Sequence, residues 1–560
     1  MTHSAESEEA SASAVASPRG NLLPRDNYGA STELLGGQIP SRLGCWPGGR
    51  APKLLREVTV AGYPVLLVRS RTQFSALGSR CPHYGAPLSR GVLRGNRLRC
   101  PWHGSCFDVR TGDIEEYPAL DCLPRFQVRI PAPAPAPRSC SPSRSLFPAG
   151  LGIPGPSPSS AGSTWPSLPG VAALVCAETL RQEGFTGRII MATREKHLPY
   201  DKSKLSKVCA GDGKELALVS ARAAGPILPS RLLPQAMSVD FQRRRVRFQN
   251  GSSQRYDHLL IATGSHPIPL EVPGADLQNI CLLQTPEDSR KILELSAGRN
   301  LVIIGASFIG MEVAAFLSDK AAAVSVVEKK EFPFQNVLGP QVGAPCPALD
   351  RALLFLTRVT FHMKAEVSEL KGKDGKVTEA VLDSGTKIPA DVVVVGIGER
   401  KGQLEGKVQA SRSRPAALSA FSAPQRMRTS VPNVYAAGDV AAFPVALLHG
   451  QHSNIQHQQV AEAHGHVAAF NMLKEPKELR TVPFFWTTML GKSIRYAGRW
   501  EQRQGGPAAQ ASAAPGLDGY VVAAASLNCD PMVPLIAEVL STPGPLCSAS
   551  PREQRAKRQG

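Results

Sequence analysis

From Val171 onward the chain alternates two kinds of apolar pattern. Val171 to Glu183 carries apolar residues at helical spacing, whereas Arg188-Ile-Ile-Met-Ala192 is a short run with few polar interruptions. The first predicts a helix and the second a buried strand. Leu301-Val-Ile-Ile304 is another continuous apolar run, followed by glycines and a helix rich in Val and Ala. Ala323-Val-Ser-Val-Val327 repeats the strand signature and ends in Glu328. Strands alternating with helical segments predict α/β architecture. The pattern fails in three places. Between Pro131 and Pro169, eleven of 39 residues are proline and most others are Ser, Ala or Gly, which predicts a semi-extended linker. Residues 1–48 and 541–560 are rich in small, polar or charged residues and predict a disordered N-terminus and a loose tail.

Composition narrows the partners. The 560 residues allow three or four domains with sizeable cores. The net charge of +18 comes from scattered Lys and Arg, so no specific nucleic-acid motif stands behind it; a basic surface suits an acidic redox partner equally. Twelve cysteines, mostly scattered singly, do not form a disulfide scaffold and predict a reducing, intracellular setting. No apolar run reaches the length of a transmembrane segment. The N-terminus lacks a secretory h-region, and Glu6, Glu8 and Glu9 argue against a mitochondrial presequence.

The strongest chemical signal is Cys81-Pro-His83 and, after sixteen further residues, Cys100-Pro-Trp-His103. A [2Fe–2S] cluster with two thiolates on one iron and two imidazoles on the other needs this mixed donor set. Prolines and glycines shape both segments into tight loops (Pro82, Gly85 and Pro87; Pro101 and Gly104). A structural zinc site uses the same donors, but zinc fingers usually pair Cys with Cys and His with His. The alternating order favours iron–sulfur. The stretch from about Leu54 to Ile130 resembles a Rieske domain.

A second signal follows Leu301–Ile304: Gly305-Ala-Ser307-Phe-Ile-Gly310-Met-Glu312. Strand, tight turn and helix are the context in which a glycine fingerprint marks a dinucleotide site. Gly305 permits the turn and Gly310 the close helix packing, while Ser307 stands where the middle glycine usually lies. Glu328, at the end of the next strand, is placed to accept a ribose 2′-hydroxyl, which favours NADH. Lys329 and Lys330 soften that preference.

Two further motifs, Leu259-Leu-Ile-Ala-Thr263-Gly264 and Val434-Tyr-Ala-Ala-Gly438-Asp439, bracket the nicotinamide segment. With Leu198-Pro-Tyr-Asp201…Lys207, they resemble the ferredoxin-reductase and apoptosis-inducing-factor branch of the FAD/NAD-dependent pyridine nucleotide-disulfide oxidoreductases. Combined with the Rieske stretch, the chain is similar to the Rieske-containing apoptosis-inducing-factor-like oxidoreductases. That resemblance implies a multidomain fold: a small all-β Rieske domain (49–130), the linker (131–169), and α/β FAD- and NAD-binding domains. The FAD domain is implied in two parts (170–284 and 416–480) around the NAD domain (285–415), with a C-terminal α+β domain (481–540). It implies [2Fe–2S], FAD and NADH as cofactors, and a one-electron acceptor, protein or small molecule, as partner. Mitochondrial association follows from the resemblance alone. Residues implied at the cofactors are Gly170, Glu195, Lys207, Thr263, Gly264, Gly396, Asp439 and Gly438, with Trp486 covering the flavin and Glu312 near the nicotinamide. No Cys-x₄-Cys pair accompanies these motifs, so dithiol chemistry is not expected.

The chain departs from the family at Gly339 to Asp350, at Glu399 to Gln425 and, most seriously, ahead of Val171. Where members carry a strand and Gly-x-Gly-x-x-Gly, it has Ser163-Thr-Trp-Pro-Ser167 and Leu168-Pro-Gly170-Val-Ala-Ala173. Only the middle glycine survives, and proline makes a poor central strand. A displaced native strand, by an alternative exon or translated non-coding sequence, explains the abrupt break. A non-catalytic, pro-apoptotic signalling protein with a degraded FAD site is the alternative reading.

Ala86 and Trp102 stand where high-potential Rieske centres carry bridging cysteines, and Phe107 replaces a tyrosine donor beside Ser105. Fewer hydrogen bonds to the sulfurs stabilise the reduced cluster less. The expected midpoint is intermediate to low, nearer ferredoxins than respiratory Rieske centres. A redox titration giving a strongly positive midpoint contradicts this.

Overall fold

The computed structural model describes, with short gaps, residues 55–128, 170–207, 232–339, 358–401, 421–499 and 516–541. The expected disordered N-terminus 1–48, the linker 131–169 and nearly all of the tail 541–560 lie outside the described residues.

The N-terminal unit is all β. Strands β1 (Leu55–Val60), β2 (Tyr63–Ser70) and β3 (Gln73–Gly78) form one antiparallel sheet with β8 (Arg125–Phe126). A second sheet joins β4 (Val92–Arg94), β5 (Arg97–Arg99), β6 (Cys106–Asp108) and β7 (Ile114–Glu116). Leu66, Val68, Leu77, Leu88, Leu98 and Phe107 pack together with Cys81 and Cys100 in a small core, so the cysteine loops are anchored by it.

The next unit opens with α1 (Val171–Gln182), its expected helix, and β9 (Met191–Ala192). It continues through β10 (Leu232–Leu233), an antiparallel meander over Ala236–Asp240, Arg245–Phe248 and Ser253–Arg255, and β11 (Leu259–Ile261). A second α/β unit contains β12 (Ile280–Leu282), β13 (Asn300–Ile304), α2 (Phe308–Leu317), β14 (Ala323–Glu328) and β15 (Val359–Met363). After another three-stranded meander comes β16 (Val392–Val395). The chain returns to the first unit with β17 (Val434–Ala436) and α3 (Gln458–Met472). It ends in β18 (Phe484–Met489), β19 (Lys492–Gly498) and β20 (Ala523–Leu527), an antiparallel sheet backed by α4 (Met532–Leu540).

The two α/β units share one plan, and the first is described only in part. The second has a five-stranded parallel sheet in the order β12-β16-β13-β14-β15, with the glycine-motif strand β13 at its centre. In the first, β17 and β11 form one parallel pair and β9 and β10 another. Matched by chain order, these pairs are the flanks of a five-stranded sheet whose middle strand would precede α1. No described residue fills that place. The expected strand 188–192 is observed over Met191–Ala192. The core is kept by helices, since α1 and α3 bury Ala173, Cys176, Leu180, Val460 and Ala468 against Met191, Leu260 and Ala436.

The Rieske-like unit is bound to the C-terminal unit by buried charge. Arg99, fully buried beside Cys100, donates from Nε to Glu538 Oε1 of α4 at 2.6 Å and from Nη1 to the Gly104 carbonyl at 2.8 Å. Its Nη2 lies 3.1 Å from Glu116, while Arg97 reaches Glu115, Glu116 and Glu538. Removing one partner strands the other charge in a low-dielectric interior, at a cost of about 3 kcal/mol. Glu538→Ala is therefore expected to lower the urea midpoint of the N-terminal unit and to speed its proteolytic release. An unchanged midpoint contradicts this account of the docking.

Candidate active site

Two loops meet at the tip of the all-β unit. In the first, Gly85 takes a positive φ of 74° and its N–H donates to the Cys81 carbonyl at 2.8 Å. In the second, the Cys100 N–H donates to the Ser105 carbonyl at 2.7 Å. Nδ1 of His83 lies 3.0 Å from Nδ1 of His103, and the Cys81 and Cys100 thiols interact directly. The four donors thus pair off, nitrogen with nitrogen and sulfur with sulfur. Among the described residues no group of three or more His, Cys, Asp or Glu converges on a single metal position. A paired donor set fits a two-iron cluster rather than one tetrahedral zinc. Burial holds His83 down to about 4 and His103, also facing His83 and Arg495, to about 2, so both rings are neutral donors. Cys81 is pushed up by its bond to Cys100 and by burial, and Cys100 is held down by the same bond. The Ser105 hydroxyl accepts from the Ala119 N–H at 3.0 Å and bonds to the Cys81 sulfur.

The loops rest on β18. Gly104, at φ 78°, has no room for a side chain because a Cβ there would stand 2.9 Å from the Phe484 ring. The Trp486 ring lies 4.9 Å from that of His103 and 5.7 Å from that of His83. The intervening residues face the other way, as strand alternation requires. Phe485 stacks on Phe308 at the start of α2, and the Thr487 hydroxyl donates to Glu312 within α2. Glu312 is buried and also accepts from the Ser206 hydroxyl and pairs with Lys207 Nζ at 2.8 Å. Tyr84, beside His83, donates to Asp201 Oδ2 at 2.5 Å. Three units therefore meet within one residue of Trp486.

The nicotinamide-type fingerprint is built from interlocked glycines. A Cβ on Gly310 would stand 2.0 Å from the Gly305 carbonyl oxygen, and one on Gly305, at φ 105°, would stand 2.4 Å from that of Gly396. Ser307 is the N-cap of α2 in extended conformation and makes no side-chain capping bond. Glu328 closes β14 and accepts from the Ala306 N–H at 2.7 Å, which sets its carboxylate at the lip of the glycine turn.

The flavin-type residues lie in the first α/β unit. Gly170 is the N-cap of α1, in open space apart from the Ala262 carbonyl at 3.9 Å. Glu195 follows β9 and is bonded by the Tyr200 hydroxyl; Thr263 and Gly264 follow β11, with Gly264 at φ 67°. Asp439 accepts from Ser265 Oγ at 2.8 Å, and the Gly438 N–H donates to His464 Nδ1 at 3.2 Å. These residues fit a flavin along its ring and ribityl edge, while of the phosphate-binding glycine turn only Gly170 and the α1 N-terminus are described.

The chain matches the family described as pyridine nucleotide-disulphide oxidoreductase over residues 169–465, and a Rieske [2Fe–2S] domain over residues 50–127. The chain belongs to the pyridine nucleotide-disulphide oxidoreductase family. It is 43% identical to apoptosis-inducing factor 3 of Homo sapiens over 87% of this chain and 82% of that protein. It is 32% identical to the biphenyl dioxygenase system ferredoxin–NAD(+) reductase component of Paraburkholderia xenovorans over 64% of this chain and 88% of that one. A solved ferredoxin reductase from Rhodopseudomonas palustris superposes with a TM-score of 0.58 at 25% identity, covering 66% of this chain and 91% of its own. This oxidoreductase thus joins a Rieske [2Fe–2S] domain to an FAD/NAD-binding reductase, as its motifs implied. Among the described residues no helix is long and apolar enough to cross a membrane.

Sequence reasoning missed Thr487, Ser206, Tyr84 and Arg495. Thr487 adjoins the flagged Trp486, and Ser206 the flagged Lys207, but neither hydroxyl has a motif of its own. Burial and the neighbouring Glu399 raise Asp439 to about 6. An acid whose folded value exceeds its unfolded one binds more protons when folded, so it adds stability as pH falls from about 6 towards 4. The stability of Asp439→Asn relative to the unmodified chain is expected to fall across that window in chemical denaturation. A pH-independent difference contradicts the assignment.

Proposed function

We propose that the protein is an NADH-dependent flavoprotein that delivers electrons from FAD to a [2Fe–2S] cluster held by Cys81, Cys100, His83 and His103. The observation that carries this reading is β18, a single strand with Trp486 against both cluster histidines and Thr487 bonded to Glu312 on the opposite face. A bound flavin would supply the link between a two-electron hydride donor and one-electron steps, and the cluster would supply a one-electron acceptor.

The chain's own residues bind and orient. Gly305, Ser307 and Gly310 admit the nucleotide pyrophosphate to the N-terminus of α2, and Gly396 lines the same turn. Glu328 accepts the ribose hydroxyls and selects NADH. Lys207, held by Glu312, faces the reacting edge of the flavin, and Asp439 with Ser265 holds its polyol chain. Thr263, Gly264 and Gly438 line the ring, Glu195 takes the adenosine ribose, and Gly170 with the α1 N-terminus faces the flavin phosphates. Trp486 excludes water between ring and cluster. The neutral His83 and His103 need no deprotonation to bind metal. The final acceptor is a one-electron protein or small molecule, in keeping with relatives named as ferredoxin reductases.

One observation favours a second reading, a signalling protein without turnover: the first α/β sheet has no described strand between β11 and β9. Iron, zinc and flavin analysis of purified protein separates the two, since zinc in place of iron, or a chain without flavin, removes the electron-transfer reading.

In stopped-flow mixing with NADH, Glu312→Gln is expected to slow flavin bleaching about tenfold, equivalent to ~1.4 kcal/mol, by releasing Lys207. Trp486→Leu is expected to slow the following cluster reduction severalfold more than it slows flavin bleaching. Equal slowing of both phases by Trp486→Leu contradicts its place between the centres.

A further inference from the structure

We propose that Arg495, supplied by the C-terminal unit, tunes the reduction potential of the Rieske cluster from outside the Rieske domain by stabilising the reduced, more negative cluster. The inference rests on the cluster assignment made under Proposed function.

Strand register places the residue. In the antiparallel pair β18–β19, Arg495 is the direct partner of Trp486. Directly opposed residues project to the same face, so Arg495 shares the face on which Trp486 meets His83 and His103. The residue is only 5% exposed. Its guanidinium is within electrostatic reach of the Cys100 thiol and the His103 ring.

Its charge is poorly compensated where it sits. Nε lies 3.5 Å from Asp530 Oδ1 without making a hydrogen bond, and Asp530 is itself 27% exposed. Nη1 makes a long bond of 3.4 Å to the Ile494 carbonyl. A guanidinium has five donors and does not lose its proton in proteins, so a buried one with loose partners calls for an anion. An iron–sulfur cluster on two thiolates and two neutral imidazoles carries no net charge when oxidised and becomes such an anion on reduction. Reduction adds one electron to it, with no bond made or broken, and therefore adds one negative charge beside Arg495. Net charge around a cluster is one of the factors that set its potential. The low midpoint expected from Ala86, Trp102 and Phe107 counts only groups inside the Rieske segment; Arg495 acts against it.

The test is a redox titration of the full-length, cluster-loaded chain, with the reduced cluster followed by electron paramagnetic resonance. Arg495→Gln is expected to weaken reduction at least tenfold, a fall of about 59 mV for one electron. Arg495→Lys keeps the charge and is expected to stay near the unmodified midpoint. Asp530→Asn removes the counter-charge and is expected to move the midpoint upward. If Arg495→Gln does not load its cluster, the upward shift in Asp530→Asn and the retained midpoint in Arg495→Lys decide the matter. A cluster-loaded Arg495→Gln with an unchanged midpoint, or an Asp530→Asn shift of zero or downward, overturns the inference. Such results leave the flavin-to-cluster reading standing, whereas a chain containing zinc and no iron removes both.

Discussion

The two-residue alternation of β18 is the constraint on which the rest depends. Even-numbered residues Phe484 and Trp486 meet the cluster loops, and odd-numbered Phe485 and Thr487 meet α2. Successive side chains of a strand cannot share a face. One short strand therefore touches the all-β unit and the dinucleotide-binding unit at the same point along the chain. The contact with Gly104 is close enough that only glycine fits, so the fit between units is steric as well as electrostatic.

Buried ions make that contact specific. Arg99 adjoins Cys100, bonds the carbonyl of Gly104 and pairs with Glu538 on α4, so the cluster loop and the C-terminal helix share one charge network. Such pairs contribute little net stability over apolar packing, but a wrong docking leaves several charges stranded. Arg495 and Asp530 form a second, looser pair on the same interface, nearer the histidines. Geometry is fixed by the tight network, and the loose one leaves a cation with capacity to spare.

The nucleotide-binding units share a common plan, and the second is described more fully than the first. In the second, Gly305, Gly310 and Gly396 approach so closely that side chains at the first two would overlap backbone oxygens, and β13 runs through the middle of the sheet. In the first, helices α1 and α3 bury the core, and the described strands form two parallel pairs.

Sequence alone determined the α/β order, the helix at Val171 and the strands ending at Ile304 and Glu328, and it singled out the two cysteines and two histidines that the structure brings together in pairs. Those features rest on local periodicity and on donor residues a few positions apart, which short stretches of chain encode by themselves. It also flagged Lys207, Glu312 and Trp486, though only through resemblance, because their meaning lies in who their neighbours are. Tertiary structure decided that Thr487 and Ser206 hold Glu312, that Arg99 reaches Glu538, and that Arg495 stands opposite Trp486 beside the histidines. Those partners are separated by up to 439 residues, and no local pattern records a contact made only when strand pairing and buried charge bring distant segments together.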